Sequence, residues 1–78
     1  MIRFLHRHQL RAAIARQLTQ ELDLDLAGTA ALWPAINHAT RDEAVPDLAE
    51  VTVLTLDTLT DEVARQTFPG RMRRWSLL

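Results

Sequence analysis

Leucine and isoleucine recur every fourth position at Leu10, Ile14, Leu18 and Leu22, the spacing that keeps apolar side chains on one side of an α-helix. The run predicts a helix over positions 8–23, with Ala12, Ala13 and Ala15 as strong helix formers between the leucines. Arg16, Thr19, Gln20 and Asp23 fall on the opposite face. Arg11 projects close to the apolar stripe, so its stem is expected to lie along the core while the guanidinium reaches the edge; a buried or interfacial ion pair with a mid-chain acid is the alternative. Positions 1–5, short and weakly alternating, read as an edge strand or a hydrophobic lead-in. Positions 22–26 alternate with period two, and the helix is expected to fray there and stop before Gly28.

The middle of the chain is less regular. Residues 30–33 read as a short strand or as part of a second helix. Pro34 suits a first helical turn and predicts a short helix over 34–43, which Val45-Pro46 interrupts. Positions 50–57, dense in Val, Thr and Leu, predict the best strand, with Val51 and Val53 on one face and Leu54 and Leu56 on the other. Thr58 or Thr60 then caps a short helix with Asp61 and Glu62 in its first turn. It carries Val63, Ala64 and Phe68 and ends at Pro69-Gly70. Positions 71–78 read as a closing strand, Met72, Arg74 and Ser76 on one face and Arg73, Trp75 and Leu77 on the other. The sum is an α+β fold: an amphipathic N-terminal helix packed on a short β-sheet, with one or two further short helices.

Length narrows the picture. The 78 residues make a single small domain, and a chain of this size buries only about 60–65% of its unfolded surface. Oligomerisation or a tight complex with a larger partner would supply the missing stability. Cysteine is absent, which excludes disulfides, thiolate metal sites and cysteine nucleophiles. No apolar run approaches a membrane span, and the opening residues are too short for a signal peptide; the expectation is a cytoplasmic protein with no membrane partner.

Charge is distributed in blocks. Positions 1–20 carry Arg3, Arg7, Arg11 and Arg16 and no acid; positions 21–62 carry all the acids against a lone Arg41; positions 63–78 return to Arg65, Arg71, Arg73 and Arg74. Either the ends fold against the middle and neutralise it, or the termini gather into an Arg-rich face for nucleic acid or an acidic partner. A pI near 6.2 argues against tight non-specific DNA binding, because ten carboxylates oppose it.

Little in the sequence points to catalysis. Gly28 and Gly70 stand alone, so no glycine-rich phosphate loop is present, and the single serine is Ser76. His6 and His8, with His38 and Asp42, are a conceivable zinc set, but solvated histidines are the simpler reading, and no metal or cofactor is expected. Trp33 and Trp75 are the largest apolar groups; at least one is expected in the core, the other role being an interface anchor. The residues with the composition of an interaction site are Arg7, Arg11, Arg71, Arg73, Arg74 and Trp75.

The order of features carries a resemblance. An amphipathic N-terminal helix holding Leu10-Arg-Ala-Ala-Ile14 precedes a variable loop and Pro46, a Val/Leu/Thr run over 51–56, an acidic loop, and Arg74-Trp75. This order resembles the N-terminal half of bacteriophage tail-terminator and related minor tail proteins. The resemblance implies an α+β subunit that assembles into a ring closing the tail tube, without catalysis; members of that family continue their sheet beyond the point matching Leu78. The expectation is a non-enzymatic protein–protein interaction protein, a phage or mobile-element structural or assembly component, with itself or another protein as partner. The alternative is a small phage- or plasmid-encoded inhibitor or regulator of a larger host protein, and the third is a DNA-binding regulator using Arg3, Arg7 and Arg11.

Overall fold

A computed structural model describes residues 3–71 and 73. The order is β1 (Arg3–His6), α1 (Arg7–Glu21), α2 (Leu26–Ala30), α3 (Trp33–Ala39), β2 (Leu48–Val51) and α4 (Val53–Thr67). The strands form a two-stranded antiparallel sheet in which Arg3 opposes Val51, Phe4 opposes Glu50, Leu5 opposes Ala49 and His6 opposes Leu48. This is the expected α+β class with its N-terminal helix.

The fourfold leucine stripe does what its spacing implies. Leu10, Ile14, Leu18 and Leu22 are all buried, and they meet Leu32 and Ile36 beside α3, Val63 and Ala64 of α4, and Leu5, Ala49 and Val51 of the sheet. Helix α1 is thus the central element, in contact with α2, α3, α4 and β1. At its start Gln9 Oε1 accepts from the backbone N–H of His6 at 2.8 Å. Past its end Asp23 adopts a left-handed φ of 54°, and the helix stops at Glu21, seven residues before Gly28. Asp25 then caps α2, its Oδ1 accepting from Gly28 N at 2.8 Å. Gly28 sits inside α2, where an added Cβ would lie 3.2 Å from Leu24. It provides close approach and no stop.

Two further expectations are corrected. The strand placed over 50–57 ends at Val51, and helix α4 begins two residues later. Thr52, not Thr58 or Thr60, is its cap, with Oγ1 accepting from Thr55 N at 3.0 Å. The β-branched run fits a helix because Thr58 and Thr60 donate their hydroxyls back to the carbonyls of Leu54 and Leu56, at 2.9 and 2.7 Å. Leu56, Leu59, Thr60, Val63 and Ala64 then share the packed side, while Val53 and Leu54 face outward. The helix does close before Pro69-Gly70, and Gly70 turns the chain with φ of 89°.

Trp33, at the start of α3 beside Pro34, is 39% exposed and outside the core. Its companion Trp75, and most of the closing strand expected over 71–78, lie outside the described residues; Arg71 and Arg73 are not in a strand.

Candidate interaction surface

Of the arginines singled out from sequence, Arg7, Arg11, Arg71 and Arg73 bond within the chain. Arg7, the first residue of α1, reaches the loop after α3: its Nε donates to the Thr40 carbonyl at 2.8 Å and its Nη2 to the Val45 carbonyl at 2.6 Å. The same guanidinium pairs with Asp42 at 2.9 Å and Asp47 at 3.4 Å. One side chain thereby ties four points of an irregular loop to the helix that precedes it by three dozen residues. One turn on, Arg11 Nε donates to Thr40 Oγ1 at 2.8 Å, and that hydroxyl donates onward to the Ile36 carbonyl at 2.7 Å. Arg11 is half-buried, as its position beside the apolar stripe implies, but its partner is a hydroxyl and not an acid.

Arg73 goes deeper. Its Nε and Nη2 donate side-on to Glu21 Oε1 and Oε2 at 2.8 and 2.9 Å, the two-point arrangement a planar guanidinium makes with a carboxylate. Nη2 also forms an ion pair with Asp57 Oδ1 at 2.8 Å, and Nη1 donates to the Asp57 carbonyl at 3.2 Å. The Arg73 and Glu21 side chains are 3% and 2% exposed. Hydrogen bonding to Glu21 is the largest influence on Arg73 and raises its pKa; burial pulls the other way and loses. Arg71 covers the end of α1: its Nη2 donates to the Leu22 carbonyl at 2.8 Å while the guanidinium lies over the Phe68 ring at 5.5 Å. Arg74 and Trp75 lie outside the described residues.

Neutralisation of the acidic middle by the basic ends is therefore physical: Arg7 answers Asp42 and Asp47, and Arg73 answers Glu21 and Asp57. Among the described arginines, Arg3 and Arg16 alone make no side-chain hydrogen bond, ion pair or ring contact. Both are exposed, and both line a depression of about 310 Å³ floored by Leu5, Ala12 and Ala13. Arg3, Leu5 and Ala13 also border a second depression of about 350 Å³, which runs on to Val51, Val53 and Leu56. The two adjoin along Arg3, Leu5 and Ala13, one basic and the other aliphatic.

While charges turn in, apolar side chains turn out. Directly opposed residues of an antiparallel pair share a face; Leu5 and Ala49 point to the core, so the other face carries Phe4, His6, Leu48 and Glu50, all exposed. Phe4 is 67% exposed, and Leu26, in the first turn of α2, is 91% exposed. None of these was singled out from sequence as a contact residue. The signal available was that Arg16 falls opposite the leucine stripe, and that Leu26 lies past the end of the helix whose stripe it prolongs.

The histidines divide. His6 and His8 stack with ring centroids 5.8 Å apart, whereas His38 lies exposed near the end of α3, beside Arg41. Among the described residues no group of three or more His, Cys, Asp or Glu is placed to hold a metal ion, and no helix is long and apolar enough to cross a membrane. Comparison with protein-family models, with curated proteins and with solved structures finds no match.

Proposed function

We propose that this chain is a non-enzymatic protein–protein interaction module, working as a structural or assembly component of the kind the tail-terminator resemblance implies. The observation that carries the reading is the inversion just described. Arg7, Arg11, Arg71 and Arg73 bond within the chain, while Phe4, Leu26, Leu48, Val53 and Leu54 are exposed. Phe4 and Leu48 share the outer sheet face, and an exposed apolar face marks a surface that another protein covers. Nucleic acid asks for the reverse, a sustained display of free cations, and of the arginines assigned to that role Arg7 and Arg11 are already engaged.

The test is solution mass by light scattering at low and at about 0.5 M salt, with cross-linked capture of stoichiometric partners from a lysate as the second arm. Self-association, or a stoichiometric complex with one other protein, that persists in salt is the expected result; the second form would favour the inhibitor or regulator. A monomer with no stoichiometric protein partner, or a nucleic-acid complex that dissolves as salt rises, would overturn the reading.

A further inference from the structure

We propose that the groove between β1, α1 and the start of α4 receives the loop at residues 23–26 of a second copy of this chain. The inference rests on the protein-interaction reading and names its partner. The groove's basic half holds Arg3 and Arg16, the described arginines without a side-chain partner; its other half is aliphatic, with Val53 and Leu56 on its wall. An occupant of matching chemistry has a carboxylate and, a few residues on, an aliphatic side chain. The chain displays that pairing on its own surface. Asp23 is exposed and makes no ion pair; Leu26, three positions on, is the most exposed large apolar residue of those described.

Asp23 meets Arg16 and Arg3 in the basic half, and Leu26 lies over Val53 and Leu56 in the aliphatic half. Loop and groove are different surfaces, so the contact is head-to-tail: each copy in contact still offers one free groove or one free loop. A short loop in a shallow groove buries less than a standard interface, so the association is concentration-dependent.

The experiment is sedimentation velocity from about 10 µM to about 1 mM on the full chain and two variants. Arg16→Glu spoils the groove and leaves the loop; Leu26→Arg spoils the loop and leaves the groove. The parent is expected to grow beyond a dimer, each variant alone to associate at least ten-fold more weakly, and an equimolar mixture to form a 1:1 dimer and nothing larger. Far-UV circular dichroism checks folding, and Arg3→Glu with Asp23→Gly, whose glycine suits the left-handed φ, is the substitute pair. Variants that associate like the parent, or a mixture that stays monomeric, overturn the proposal. A parent that is monomeric but holds another protein stoichiometrically overturns the second-copy assignment and leaves the protein-interaction reading standing.

Discussion

At the scale of single residues the molecule is organised by arginine. The Arg73 guanidinium is enclosed with Glu21 and Asp57, and a buried pair that loses one member leaves the other charged in a poor solvent. Arg73→Ala is therefore expected to cost about 3–5 kcal/mol in urea denaturation. Arg73→Lys, which keeps the charge but not the two-point fork, should recover only part of that. The pH dependence follows from the direction of the shift. A raised folded pKa means the Arg73 contribution is complete below the ordinary arginine range and is lost only as pH climbs through the raised value. The chain holds no Lys, Tyr or Cys, so no side chain ordinarily titrates between histidine and arginine. Urea midpoints should be flat from about pH 9 to about pH 11. That Arg73 matters was readable from its basic cluster; that it points inward was not, since its partners lie 52 and 16 positions away in the chain.

Secondary-structure elements show where local pattern suffices and where it misleads. Helix α1 is legible because its period is unbroken and its alanines agree with it. The start of helix α4 is not, because Val, Thr and Leu over 51–56 satisfy the composition of a strand and the spacing of a helix at once. Cap chemistry decides between them: Thr52 closes the first turn, and the later threonine hydroxyls bond to carbonyls one turn back. Thr52→Ala should cost about 1 kcal/mol and Thr52→Asp should restore most of it, read as thermal midpoints by circular dichroism. The early end of α1 has a similar cause. Asp23 takes a backbone conformation that short polar side chains tolerate, and no periodicity announces it.

For the whole molecule the consequence is a division between residues that hold the fold and residues left exposed, where the proposed contacts would fall. Ile14 is fully buried at the meeting of α1 with its neighbours, so Ile14→Ala should cost about 2–5 kcal/mol with no direct effect on association. Leu26→Ser should do the opposite. Its thermal midpoint should match the parent's within about 0.5 kcal/mol of stability, and light scattering should show weakened self-association. A single core with α1 at its centre leaves the outer sheet face and the groove beside β1 to carry whatever binding the protein does.

What the sequence determined by itself was the α+β class, the N-terminal helix, its buried stripe and the division of charge into basic ends and an acidic middle. Each depends on spacing or composition, which act locally or in bulk. Tertiary structure decided which arginines are buried and which are free, that Trp33 lies outside the core, and that residues 53–57 are helical instead of paired in the sheet. These outcomes depend on which distant segment arrives as a neighbour. A guanidinium facing a buried carboxylate turns in, and the same group facing water stays exposed.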